Sequence, residues 1–213
     1  MPSCAYCANK PCYKGTPETV PTDCPGHDHT SEELFSLYSA PEREEANRAA
    51  LVEAENYCRA SRVEEIMDYA YKCGYHKLGV AFCIGLSAEA QIFCDILRSN
   101  GFTVESVCCK NGSIPKSEIG VTQPEQTHPD WPYEAMCDPI GQALALDEAG
   151  CELSILLGLC VGHDTLVLRH SKAPCTVLAV KDRVTGHNPL AVIYTVKGYH
   201  KSVFHFIENK YGK

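Results

Sequence analysis

Cys4, Cys7, Cys12 and Cys24 follow the spacing C-x2-C-x4-C-x11-C. Thiolates bind soft and borderline cations. Four of them within 21 residues can close around one tetrahedral ion or one cubane. The C-x2-C pair offers two ligands from a single tight turn. Pro11, Pro21 and Pro25 restrict the unfolded chain and so favour closure. Residues 1–30 otherwise show no helical or strand period, so a bound metal is what would order them. Zinc takes a closed four-thiolate set, and a 4Fe–4S cluster takes the same donors. His27 and His29 lie close to Cys24 and read either as zinc donors or as solvated loop residues. Disulfides are the competing reading of the four thiols.

A second group of cysteines sits where strands give way to helices. Phe82-Cys83-Ile84-Gly85 and Leu159-Cys160-Val161-Gly162 share one form: an apolar run, then Cys-(Ile/Val)-Gly, then a helix start. A thiolate placed there gains from the free N–H groups of the helix. Cys108 and Cys109 close another apolar run, and Cys137 precedes Asp138-Pro139. In a parallel sheet the carboxyl ends of the strands line the ligand crevice. Cys83, Cys109, Cys137 and Cys160 are therefore expected to converge on one cofactor-binding point. Neighbouring strand residues face opposite sides, so one of Cys108 and Cys109 turns inward, and Cys109 is preferred. The bland alternative is that these are small buried hydrophobes; Cys58, Cys73, Cys94, Cys151 and Cys175, within elements or at their other ends, read as core or incidental. His163 is a candidate ligand or acid/base, while Asp164 reads as a helix cap. Lys110, Lys181, Asp182, Arg183 and His187 also follow strands. Cations there would offset thiolate charge or hold an anion. Cys160, His163 and Lys110 form the candidate catalytic set.

The elements that must position these residues are legible in outline. The run Glu42 to Arg59 is rich in Ala and Glu. Ser61-Arg62-Val63-Glu64 fits a capping box, Val63, Ile66, Met67, Ala70 and Tyr71 share one helical face, and Gly74 is a stop. Strands are expected at Leu78–Phe82, Phe102–Val107, Leu153–Leu159 and Cys175–Val180. Helices are expected after Ser87, from Pro139 to Ala149, and from Asp164. Residues Asn111 to Trp131 read as a long loop, and Val192 to Phe206 as one or two more strands. The fold class is therefore α/β, with a mostly parallel, Rossmann-like sheet covered by helices on both faces. Residues 1–30 precede it as a cysteine-rich segment and 31–74 as a helical region, with the α/β domain at 75–213.

Composition narrows the function. The chain has 213 residues, 45% of them apolar, enough for a core without covalent staples. Fourteen cysteines without a secretory leader point to metal ligation in the reducing cytoplasm rather than to disulfides. Net charge is −8 and no basic block occurs, which argues against nucleic acid and an anionic membrane surface. No G-x-G-x-x-G or Walker A motif supports nucleotide binding.

Two resemblances add to this. Cys4-x2-Cys7-x3-Pro11-Cys12, with its distant fourth cysteine, is similar to the cubane-binding segment of nickel carbon monoxide dehydrogenases over about a tenth of the chain. The segments Lys77–Leu86, Ser106–Lys110, Met136–Ile140 and Gly158–Asp164, with Lys181-Asp182-Arg183 and His187-Asn188-Pro189, resemble a prokaryotic family of uncharacterised cysteine-rich proteins described as metal-binding. That resemblance covers nearly the whole chain. It implies metal binding and one architecture, and no particular reaction.

The expected function is thus a metal-binding protein with a 4Fe–4S cluster at the N-terminal set. A second cluster or metal would sit at the strand ends, with zinc as the alternative at either place. The matching activity is that of an iron–sulfur oxidoreductase or a sulfur-handling enzyme. Partners compatible with it are a small or anionic substrate, an electron carrier and a second copy of the chain. Two other readings stay open: a zinc or metal-ion carrier or sensor, and a thiol enzyme with a zinc-stapled N-terminus and Cys83 or Cys160 as nucleophile.

Overall fold

A computed structural model describes residues 4–212, except the side chain of Pro17. The chain divides into two compact units, one ending at Glu55 and the other beginning at Asn56. The helical stretch 31–74 is thereby shared between them. The first unit holds short turns and three helices, α1 (Pro11–Lys14), α2 (Ser31–Ser36) and α3 (Ala40–Asn56). Left-handed residues Lys10 and Gly15 bracket α1. Thr30 and Glu33 form a reciprocal capping box on α2, each satisfying an N–H that the helix start leaves free.

The second unit begins with α4 (Arg62–Cys73), which Ser61 and Glu64 cap reciprocally and Gly74 ends in the left-handed region. There follow β1 (Lys77–Phe82), α5 (Ser87–Ser99), β2 (Thr103–Cys108), α6 (Pro139–Glu148), β3 (Leu153–Leu159), α7 (His163–His170) and β4 (Cys175–Val180). The sheet has the order β2-β1-β3-β4 and every pairing is parallel. This is an α/β fold of Rossmann-like arrangement. The chain leaves β1 toward β2, then crosses back to place β3 on the other side. A topological switch point therefore lies between β1 and β3, and a crevice forms outside their carboxyl ends.

Strand alternation builds two cores. Leu78, Val80, Val104, Leu153, Ile155 and Leu157 pack with Ile66 and Ala70 of α4 and with Ala90, Phe93 and Leu97 of α5. On the opposite face, Ala81 and Leu156 pack with Ala143 and Leu146 of α6 and Val167 of α7. β3 is buried along its whole length, as expected of a strand with helices on both faces. Near its end the register with β4 shifts on both sides of Leu157, and Gly158 takes φ +66. Past this bulge Leu159 joins the second core, whereas Leu157 belongs to the first.

Two local expectations are corrected. The tail forms helices, not strands: α8 (Leu190–Tyr194), a 3-10 turn over Lys201–His205, and α9 (Phe206–Tyr211). Leu190, Ile193 and Tyr194 recur at helical spacing, and Thr195 Oγ1 donates to the Ala191 carbonyl four residues back. Ser87 does not cap α5 at its N-cap position. A 3-10 turn over Ile84–Leu86 leads straight into the helix, and the Ser87 hydroxyl donates back to the Ile84 carbonyl. The stretch from Asn111 holds three short 3-10 turns, and Pro115 bridges Ala135. Among the described residues, no helix is long and apolar enough to cross a membrane.

Candidate functional site

Backbone hydrogen bonds carry the sheet pattern one residue past each strand and so fix the sulfurs. Cys83 N–H donates to Leu157 O, and Cys109 N–H donates to Phe82 O. The Cys109 carbonyl then accepts from Asp138 N–H, which ties the segment holding Cys137 to the end of β2. Asp138 caps α6 through Gly141 N–H. Any Cβ at residue 141 would collide with that carboxylate, so glycine there serves the cap.

The result is a row of three sulfurs. Cys109 lies between Cys83 and Cys137 and is the largest influence on the ionisation of each, and Ile84 N–H donates to Cys109 Sγ at 3.3 Å. Cys83 and Cys109 are 6% and 2% exposed, while Cys137 and Cys160 are half-buried. Each outer member has a cation. Lys110 Nζ lies 3.6 Å from Cys137 Sγ and is anchored on Ala135 O, and the Lys181 ammonium is hydrogen-bonded to Cys83. Cys160 stands apart from the row and is held by Arg183, whose Nη2 donates to its sulfur at 3.5 Å. The hydrogen bond from Cys109 is the main cause lowering the Cys83 thiol to about 5. Burial opposes it, and Gly85 N–H and Lys181 assist. Cys137 is likewise lowered to about 5 by Cys109, with burial opposing and the charges of Lys110 and His163 assisting. Cys109 is pushed up by the same two bonds and by burial. Of the three sulfurs the central one holds its proton most tightly, and that single S–H can be donated to one neighbour at a time.

The other candidates are placed as follows. Cys108 Sγ accepts from Lys110 N–H and lies outside the row. Asp164 does not occupy the N-cap of α7, which is Gly162. Its carboxylate accepts from the Gly162 and Thr165 N–H groups. Burial raises the thiols of Cys94, Cys151 and Cys175, as for core residues. Beside Cys83 opens a cavity of 440 Å³, walled by the loop after β4 with Lys181, Arg183 and His187.

Sequence reasoning missed Gln142. It is fully buried on α6, and its Nε2 donates to Phe82 O at 3.1 Å and Val107 O at 2.7 Å. These are the carbonyls of the last residue of β1 and of the residue before the last of β2, so one amide holds the ends of both strands. A lone glutamine in an apolar helix gives no sign of this. Gln142→Leu keeps the volume and removes both donors. It should cost about 2 kcal/mol, read as a lower urea midpoint at unchanged slope.

In the first unit, Cys4, Cys7, Cys12 and Cys24 all line one cavity of 670 Å³. Lys10 N–H donates to Cys7 Sγ at 3.4 Å. His27 faces Asp28 at 3.6 Å, and neither His27 nor His29 lines that cavity. Among the described residues, no three His, Cys, Asp or Glu side chains close on a single metal ion.

The family described as "Protein of unknown function (DUF1847)" matches residues 24–178. That span holds Cys24 and all four strand-end cysteines, and it ends within β4. An uncharacterised protein of Methanocaldococcus jannaschii is 41% identical over 193 residues, covering 90% of this chain and 93% of that protein. With a family match over more than half its length and a relative this similar over nine-tenths of it, the chain belongs to the DUF1847 family.

Proposed function

We propose that this protein is a sulfur-ligated metalloprotein, with an iron–sulfur cluster at its N-terminal set and a second soft-metal centre at the carboxyl edge of its sheet. The observation that carries this reading is the sulfur row Cys83–Cys109–Cys137, with Cys160 at the end of the neighbouring strand. Three thiols from three separate junctions make the row and Cys160 stands apart on Arg183, so an inner centre would have to draw them together, while Lys110, Lys181 and Arg183 offset their charge. Hydrocarbon packing alone would not place three ammonium or guanidinium groups against three thiols. All four N-terminal cysteines line one cavity, so a single set of four thiols is available to a cluster there. Lys10 N–H would support a thiolate at Cys7 there. This agrees with the local likeness to the cubane segment of carbon monoxide dehydrogenases.

When bound, a cluster supplies one-electron transfer and a soft Lewis-acid position. The chain's own residues do the rest. Cys83, Cys109, Cys137 and Cys160 would be the inner ligands. Lys110 holds Cys137 in place and neutralises it. The charge of His163 also acts on Cys137. A small anionic substrate and an electron carrier are the partners that suit this chemistry, in an oxidoreductase or sulfur-handling enzyme.

Iron, sulfide and zinc counts on anaerobically purified protein test this directly. The expected result is a brown protein whose iron and sulfide fall when Cys12 and Cys24 are changed to serine. A colourless protein without bound iron or sulfide would sink it. One observation favours a second reading, a thiol enzyme: Cys83 stands at the start of the helical run from Ile84, hydrogen-bonded to Gly85 N–H and Lys181. Zinc in a colourless protein, with one cysteine trapped rapidly by iodoacetamide, would support that instead.

A further inference from the structure

The cavity beside Cys83 has a one-sided chemistry. Lys181 and Arg183 present cationic N–H groups. His187 Nδ1 accepts from Asp182 N–H at 3.1 Å, so the neutral ring carries its proton on Nε2 and becomes a donor. A second backbone bond, His187 N–H to Asp182 O at 2.8 Å, closes the loop and holds His187 in the left-handed region at φ +68. Asp182 is the one carboxylate on the wall. Its Oδ1 is already engaged by the Val184 and Thr185 N–H groups, so it shapes the loop.

The floor is open for want of side chains. Gly85 does not sit at a left-handed φ, so the backbone there does not call for glycine. A Cβ on it would stand 3.6 Å from Lys181 Nζ and 4.0 Å from Cys83 Sγ. Those are ordinary contacts, and what they would consume is the space between ammonium and sulfur. On its other side Lys181 Nζ lies 3.8 Å from where a Cβ on Gly158 would fall. The ammonium thus lies over two glycines.

We infer that this cavity is the subsite for a small oxyanion, held by Lys181, Arg183 and the Nε2–H of His187 next to the Cys83 sulfur. A donor-rich wall around an open floor recognises a ligand that only accepts hydrogen bonds. This deepens the proposed function and rests on it for what happens after binding, since the anion would lie against the inner thiol set. Binding itself requires only the cavity.

Calorimetric titration with inorganic phosphate, sulfate and acetate tests it, at ionic strength fixed with chloride, on protein whose iron is counted in the same sample. One saturable site per chain is expected for at least one of the three. Lys181→Met and Arg183→Met should each weaken it about tenfold, the loss of one charge-assisted contact. Gly85→Ala should weaken it several-fold while leaving the melting temperature of the chain unchanged. No saturable binding of any of the three, or equal binding by the parent, Lys181→Met and Gly85→Ala, would overturn the inference. Anion binding lost in these variants, found on a protein without iron, would sink the metal reading and leave the subsite standing. Full iron without anion binding would do the reverse.

Discussion

Replacing Cys109 with alanine should empty the inner centre and leave the N-terminal one, so that iron per chain falls by roughly half if both hold cubanes. Cys109 is the middle of the row and its only member in contact with both others. Without it, Cys83 and Cys137 have no shared partner, and the remaining thiols reach from opposite sides of an opened gap. The same substitution has a second signature in metal-free protein. There the Cys137 thiol is lowered to about 5, first by the bond from Cys109 and then by the charges of Lys110 and His163. Only the thiolate is alkylated. In the parent, iodoacetamide labelling of Cys137 should therefore persist on acidification until the pH falls through about 5. In Cys109→Ala the midpoint should climb toward the ordinary thiol value of 9.0, with Lys110 limiting the climb. Site-resolved mass spectrometry against pH reads both profiles. Identical profiles would show that Cys109 does not act on Cys137 in solution, and unchanged iron would show that Cys109 is no ligand.

The parts of this fold that read plainly from the sequence are those governed by short-range rules. The Ser61–Glu64 capping box, the Gly74 stop and the Asp138-Pro139 helix start each depend on neighbours within four residues. β1 and β3 are continuous apolar runs because both faces of the sheet are covered. The tail misled because Val192, Ile193, Val196 and Val203 favour strands locally. Their helical spacing competes with that preference, and the spacing prevails. Within the site, strand parity allowed only one of Cys108 and Cys109 to turn inward and could not say which. The pairing of Arg183 with Cys160 could not be read, since it joins residues 23 positions apart with α7 and β4 between them. Gln142 was hidden for a related reason. Its role is to satisfy two carbonyls that come together only once β1, β2 and α6 have packed.

Gly158→Ala should be strongly destabilising. In sequence Gly158 is one glycine inside Leu156-Leu157-Gly158-Leu159-Cys160, where alternation alone would continue unbroken. In the fold it holds φ +66 and marks the register shift against β4. A Cβ here would fall within the van der Waals envelope of Leu86 Cδ1, and Leu86 is buried at 6% exposure. Gly158→Ala therefore carries two penalties, a left-handed alanine and an overpacked core, together about 3 kcal/mol. For a chain of this size that lowers the melting temperature by roughly 6–12 °C. The two penalties can be separated. In a Leu86→Ala background the clash is gone and only the backbone part remains, so the same substitution should cost about 1 kcal/mol. Relief of strain by straightening the bulge would return Leu159 and Cys160 to the parity of an unbroken strand. Cys160 would then leave Arg183, and inner-site iron should drop with the melting temperature. A Gly158→Ala protein as stable as the parent, or equally destabilised in both backgrounds, would refute the bulge as the device that aims Cys160.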